Sequence, residues 1–229
     1  MDTKEAIYFN NIQDSDIISN AEYLEPVIQK NDMLSISVSS MNPAATEIFN
    51  ASNSSGTASG YLVNQDGFIQ FPLIGDIKAA GLTKKGLRDT ISKALSDKKL
   101  LVDPNVTIRY LNYRVTVLGE VTRPGVVTVP NEKITLLEAL GFAGDLTIQA
   151  KRDNIMIIRE EKGVKKIKRV NLNSTELFTS PYYYLKSEDI VYVEPNKAKV
   201  AGTSRFNQVY PIVMSTLTFA FLVLEYFTR

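Results

Sequence analysis

Apolar and polar residues alternate strictly along Leu34-Ser-Ile36-Ser-Val38-Ser and again along Val106-Thr-Ile108-Arg-Tyr110, predicting two strands with one face turned to a core. Between them, Tyr61-Leu-Val63 and Phe68-Ile-Gln-Phe71 flank Asn64-Gln-Asp66-Gly67, and the Asp-Gly step predicts a hairpin joining the two runs. Pro72 and Gly75 mark the next turn. After Thr83 the period changes. Leu87, Ile91, Ala94 and Leu95 recur at helical spacing, with Thr83 placed to cap the first turn and Gly86 weakening it by about 1 kcal/mol relative to alanine. Asp103-Pro104 ends that helical unit.

A second series of elements begins near Asn112. Val115-Thr-Val117-Leu-Gly119-Glu-Val121 reads as a strand and residues 126–129 as its partner. The turn between them, Thr122-Arg-Pro124-Gly125, has proline to preset φ and glycine to supply the positive φ of a type II turn. Thr135-Leu-Leu-Glu138 is a capping box opening a short helix over residues 136–142 that stops near Gly144. Ile155-Met-Ile-Ile158 and residues 164–170 predict a hairpin about Lys162-Gly163, and Asp189-Ile-Val-Tyr-Val193 a last strand closed by Pro195. Strand, strand, short helix and further strands predict a β-grasp-like domain, so the fold class is α+β. Two polar stretches remain. Residues 1–22 read as an extended lead-in broken by Ile7-Tyr8-Phe9, and residues 50–60 as an exposed loop.

The end of the chain has a different character. Residues 211–227 are almost wholly apolar, and only Thr228 and Arg229 follow, so this segment is expected to dock into lipid or against copies of itself. As a helix it spans roughly 25 Å, short for an average bilayer and better matched to a thinner one. At about 100° per residue, Ser215, Thr218, Glu225 and Arg229 fall within a sector of roughly 80°, broken by Leu222. Leu217, Phe219, Ala220, Phe221, Val223 and Leu224 cover the other faces, and Glu225 and Arg229 stand four apart, placed to pair. Two readings stay open: a helix in a ring with its polar stripe toward a wet lumen, or a single membrane tail. The polar start Met1-Asp-Thr-Lys-Glu does not read as a signal peptide, so a cytosolic protein or a mature form with an added methionine is expected, and the apolar tail favours the second.

Composition removes several functions. The 26 basic and 25 acidic side chains give a net charge of +1, so no field favours nucleic acid. Histidine and cysteine are absent, which takes away the commonest metal ligands and general base, and no cofactor, metal or catalytic residue is expected. Glu160-Glu161 and Glu188-Asp189 sit at predicted turns and read as solvated charges. Lys162, Lys165, Lys166, Lys168 and Arg169 read as a protected sheet edge or an anionic-polymer contact. Glycines 119, 125, 141 and 144 lack phosphate-loop spacing. Tyr182, Tyr183 and Tyr184 form either a hairpin or subunit contact or a stacking surface for sugar rings.

With these residues in view, the chain resembles the bacterial outer-membrane polysaccharide export family, the Wza-like translocons for capsule and exopolysaccharide. Asn31-Asp32-Met-Leu34-Ser-Ile36 after Tyr23 is similar to the opening of its export domain, with asparagine where glycine is usual. Tyr61-Leu-Val63, Asp66-Gly67, Pro72-Leu-Ile-Gly75-Asp-Ile77 and Gly81-Leu-Thr83 follow its central run, although the usual glutamate three residues after that threonine is Gly86. Asp103-Pro104-Asn-Val106 closes the domain. Val117-Leu-Gly119-Glu-Val121-Thr-Arg-Pro124-Gly125, Thr135-Leu-Leu-Glu138, Ala143-Gly144 and Leu185-Lys-Ser-Glu-Asp189-Ile-Val-Tyr-Val-Glu-Pro195 resemble an SLBB (soluble-ligand-binding β-grasp) domain.

The resemblance implies a lead-in over 1–22, an export domain over 23–111, one SLBB domain over 112–195, and a linker with a transmembrane helix over 196–229. It implies a non-enzymatic homo-oligomeric ring of about eight subunits, its bulk in the periplasm and its helices in outer-membrane lipid. The ring would conduct a polysaccharide supplied with the help of an inner-membrane copolymerase or tyrosine kinase. It favours the lumen reading of the stripe and implies a lipoprotein anchor, an acylated cysteine taking the place of Met1. A monomeric, membrane-tethered periplasmic glycan-binding module is the rival expectation.

Overall fold

In the computed structural model, which describes residues 7–9, 25–50, 60–161, 163–202 and 205–228, the chain divides into two compact units. Met1, Arg229 and the small-residue stretch 51–59 lie outside the described residues. One unit comprises Glu22–Arg114 and Thr128–Ile134. Its first strand, β1 (Met33–Ser39), buries Leu34, Ile36 and Val38, as the alternation predicts. In order follow α1 (Pro43–Asn50), β2 (Tyr61–Leu62), β3 (Phe68–Phe71), β4 (Gly75–Lys78), α2 (Lys84–Asp97) and β5 (Asn105–Tyr110). β1 is central, antiparallel to β2 on one side and to β5 on the other. The helical stripe of α2 buries Leu87, Ile91 and Leu95, each fully shielded side chain stabilising the unit by about 1.5–3 kcal/mol. Phe49 of α1 stacks on Phe71, which also stacks on Tyr61.

The expected hairpin between residues 61–63 and 68–71 does not form a ladder. Its turn exists: Gly67 has φ of +85°, and the Asn64 side-chain oxygen accepts from the amides of Asp66 and Phe68. The strands then diverge. Tyr61–Leu62 pairs with β1, while β3 turns at Pro72 and Gly75 to pair with β4. Leu73 at φ +60° and Gly75 at φ +94° make that second reversal tight enough to capture β3. Thr83 does cap α2, accepting from the Gly86 amide at 3.2 Å. The carboxylate that Gly86 lacks arrives from elsewhere, since Glu25 accepts the Lys85 amide at 3.2 Å. Glu132, 6% exposed, fixes the returning segment by accepting the Tyr110 amide at 2.6 Å and pairing with Lys84.

The second unit contains β6 (Arg114–Gly119), β7 (Gly125–Thr128), β8 (Ile134–Thr135), α3 (Leu136–Phe142), β9 (Ala150–Glu161), β10 (Val164–Val170), β11 (Tyr184–Leu185) and β12 (Ile190–Pro195). Its main sheet runs β10-β9-β12-β6-β7, with β12 parallel to β6 and antiparallel to β9. Val115, Val117, Ile155, Ile157, Val191 and Val193 are fully buried along these strands, and α3 buries Leu136, Ala139 and Leu140. The capping box forms in both directions: Thr135 Oγ1 accepts from the Glu138 amide at 3.1 Å and Glu138 from the Thr135 amide at 2.7 Å.

The glycines in this unit do not divide their work as the turn chemistry predicts. Gly125 opens β7 without a positive φ, so the turn after Pro124 is not type II. Before the turn, Gly119 has φ of +91°, and an added Cβ there would lie 2.0 Å from the Val193 carbonyl oxygen. The corner is held instead by the Thr122 and Arg123 amides, which donate to the carbonyls of Asp145 and Ala143 at 3.0 and 2.7 Å.

Two helices follow, α4 (Lys197–Gly202) and α5 (Arg205–Thr228). The second is longer than the apolar run predicts, because nothing in residues 205–210 breaks a helix and Pro211 is accommodated inside it.

Candidate functional site

The apolar portion of α5, Val209–Thr228, is 20 residues with a mean hydropathy of 1.5, and none of it is buried. At about 1.5 Å per residue it is roughly 30 Å long, enough to cross an average hydrocarbon core rather than only a thin one. Leu217, Phe219, Phe221 and Leu224 are each at least 60% exposed, and Val223 is also open. Such a surface in water is unfavourable by the scale of a whole protein core, so it requires lipid or protein cover.

The predicted polar stripe is not uniform. Ser215 Oγ donates to the Ile212 carbonyl and Thr218 Oγ1 to the Met214 carbonyl, each at 2.8 Å. Thr216 and Thr228 donate back to the helix in the same way. These hydroxyls are satisfied by their own helix and tolerate an apolar environment. Glu225 is the only charged side chain between residues 209 and 228. A carboxylate cannot be satisfied by helix carbonyls, so within the described stripe the demand for water or a cation rests on Glu225.

The three tyrosines lie in the second unit, beyond a one-turn 3-10 helix, Thr175–Thr179. Ser180 sets their course, its Oγ accepting from the Tyr182 amide at 3.2 Å and its carbonyl from the Tyr183 amide at 3.0 Å. The Tyr183 carbonyl then receives the Leu136 amide at 2.8 Å, tying the row to the start of α3. All three rings are half-buried. The Arg159 guanidinium lies over Tyr182 at 4.6 Å, and Tyr183 meets Tyr184 edge-on at 5.0 Å. Burial raises the Tyr183 phenol above its ordinary pKa, with the charges of Tyr184 and Glu138 adding to the effect.

The row continues into residues that sequence reasoning left in the lead-in. Tyr183 contacts Phe178 at 5.7 Å, Phe178 stacks on Phe9 at 5.5 Å, and Phe9 lies 6.2 Å from Tyr8. The available signal was that Ile7-Tyr8-Phe9 is an apolar cluster in an otherwise polar stretch. Tyr8 donates to Asp145, and its ring lies 5.5 Å from the Arg152 guanidinium.

Of the carboxylates expected at solvated turns, Asp189 is not solvated. It is 1% exposed and forms a two-pronged pair with Arg159, Nε to Oδ1 at 3.0 Å and Nη2 to Oδ2 at 2.6 Å. The pairing comes from β9, which places Arg159 beside the turn that Asp189 closes, with the Lys186 amide also donating to Oδ2 at 2.8 Å. Glu161 stays near the surface between Lys166 and Lys186, whose hydrogen bonds hold its pKa down at about 2. Of the basic run, Lys165, Lys166, Lys168 and Arg169 lie on β10, an edge strand of the sheet, with Arg169 paired to Glu194 and Lys166 to Glu161, and Lys162 lies outside the described residues.

The two halves of the chain match known protein families in sequence order. Residues 20–111 match the family described as polysaccharide biosynthesis/export protein, and residues 114–170 match the SLBB domain. The chain is 34% identical over 154 residues to the EPS I polysaccharide export outer membrane protein EpsA of Ralstonia solanacearum. It is 44% identical over 93 residues to the protein of the same name in Ralstonia nicotianae. These stretches take up 65% and 39% of this chain, and they span 40% and 24% of the relatives' own lengths. An export domain, an SLBB domain and a C-terminal apolar helix in one α+β chain place it in the polysaccharide biosynthesis/export family.

Proposed function

We propose that this chain is a subunit of an outer-membrane conduit that carries exopolysaccharide or capsule from the periplasm to the cell surface. The observation that carries this is the combination of the two matched domains with a 20-residue apolar helix that no described residue covers. In this reading about eight copies form a ring. Each contributes α5 to a helical wall, with Glu225 on the wet side and Leu217, Phe219, Phe221, Val223 and Leu224 toward lipid and neighbouring helices. The conduit is passive, and an inner-membrane copolymerase or tyrosine kinase couples synthesis to transport. A lipid anchor in the place of Met1 would give each subunit a second hold on the membrane.

Export by cells carrying single substitutions tests the assignment. Glu225→Leu is expected to reduce surface polysaccharide several-fold, with a smaller loss for Thr218→Leu and less again for Leu224→Ala. Equal export from all three, at equal outer-membrane levels, refutes the pore lining.

The back-bonded hydroxyls of Ser215 and Thr218 favour a second reading, in which a single helix surrounded by lipid tethers a monomeric glycan-binding module. The mass of the detergent-extracted chain separates the two.

A further inference from the structure

Tyr8 and Phe9 are held against the second unit by specific contacts. The Tyr8 hydroxyl donates to Asp145 Oδ1, which also accepts the Leu146 amide at 2.7 Å. The Phe9 amide donates to the Leu172 carbonyl at 3.3 Å, and the Phe9 ring stacks on Phe178 at an interplanar angle of 25°.

What lies under these residues is incompletely satisfied. Arg152 is 6% exposed, and no acid pairs with it among the described residues. Its terminal nitrogens reach the carbonyls of Ala150 and Thr147, each at 3.2 Å, and its Nε has no hydrogen-bond partner among the described residues. Arg159, the other buried arginine of this unit, is matched by Asp189. Asn173 Oδ1, one residue past the carbonyl that receives Phe9, is also buried without a partner among the described residues. A buried guanidinium without a counter-charge and two orphaned polar atoms are costly, and Arg152 against the Tyr8 ring, with Asn173 next in the chain to the Phe9 acceptor, calls for a ligand that supplies what the segment does not.

We propose that Asp145, Arg152, Asn173 and Phe178 form a saccharide subsite on the SLBB unit, which Tyr8 and Phe9 fill as an internal stand-in for an acidic sugar residue. The correspondence is chemical. The Tyr8 hydroxyl takes the place of a sugar hydroxyl donating to Asp145. The flat Phe9 ring takes the place of the apolar face of a pyranose on Phe178. The phenol brings no carboxylate to Arg152 Nε; a uronic acid would supply one, with a further hydroxyl for Asn173 Oδ1. Tyr8 and Phe9 therefore compete with an acidic glycan for one surface, and glycan arrival displaces these two side chains. The substrate class rests on the export reading, whereas the competition rests on the contacts alone.

The experiment is calorimetric titration of the full-length chain in detergent with a short alginate-derived oligouronate, beside a neutral maltooligosaccharide of the same length. The double variant Tyr8→Ala/Phe9→Ala is expected to bind the oligouronate about tenfold more tightly than the parent, since a hydrogen bond and a ring stack no longer compete. Adding Asp145→Asn or Arg152→Met should abolish that gain. Tyr8→Phe keeps the ring and loses only the hydroxyl, so it tests the idea if the double variant does not fold, with an expected gain of about threefold. Equal affinity in parent and Tyr8 variants overturns the proposal, as does absence of oligouronate binding in all of them. Equal binding of the neutral sugar overturns the role of Arg152. Any of these failures alongside Glu225-dependent export in cells removes the subsite and leaves the export reading standing.

Discussion

Asp189→Asn removes one charge from a pair that water does not reach. Arg159 and Asp189 side chains are 4% and 1% exposed, so the guanidinium left behind cannot be rehydrated without opening the sheet. Arginine does not lose its proton at accessible pH, and what remains to it is the Tyr184 carbonyl at 3.1 Å and the face of Tyr182. Breaking a buried pair in this way costs about 3–5 kcal/mol. Asparagine can still accept the Lys186 amide, so the loss reports the charge pair and not the turn. The assay is amide hydrogen exchange of β12 in the full-length protein, which reads the stability of this unit without requiring the whole chain to unfold in one step. At about 1.36 kcal/mol per decade, protection should fall roughly 150-fold or more. The double variant Arg159→Met/Asp189→Asn should recover most of it, because no unmatched charge remains. A loss below about fivefold in the single variant, or no recovery in the double, refutes the reasoning.

Gly119→Ala is expected to disrupt the parallel pairing of β6 and β12 outright, because the new methyl meets the Val193 carbonyl at 2.0 Å on a backbone with φ of +91°. Circular dichroism of the purified chain should show lost strand content, whereas Gly125→Ala, with open space around it, should look like the parent. Glu161 predicts a pH dependence. Its folded pKa of about 2 lies below the ordinary carboxylate value of about 4.3, so its pairing stabilises the fold fully above that value. The contribution is lost as pH falls toward 2. Thermal melts between pH 6 and pH 2 should therefore decline less steeply for Glu161→Gln than for the parent; an equal or steeper decline contradicts the assignment.

Elements written by local rules were legible in the chain. The alternation around Ile36, the stripe of Leu87, Ile91 and Leu95, and the reciprocal Thr135–Glu138 cap each need only a few neighbouring residues. What was not legible depends on partners far away in sequence. Phe71 chose β4 over the strand before it because the reversal at Leu73 and Gly75 competes with the Asp-Gly turn, and propensity does not rank two good turns. The helix α1 carries two buried residues, Thr46 and Phe49, too few to register as a period. Asp189 reads as a turn charge until β9 brings Arg159 to it from 30 positions away. The same holds for the candidate sites. The apolar helix was plain from hydropathy, but its start at Arg205 and the satisfied hydroxyls of Ser215 and Thr218 required the backbone. Tyr8 and Phe9 gave no sign that their partners were Asp145 and Phe178.

We propose that α5 assembles copies of the chain into a membrane conduit. The most direct test is the mass of the full-length protein extracted in mild detergent, measured by light scattering beside a version ending at Gly202. One discrete assembly of about eight copies is expected, falling to single subunits without the helix. A monomer in both preparations contradicts it, and α5 is then a tether.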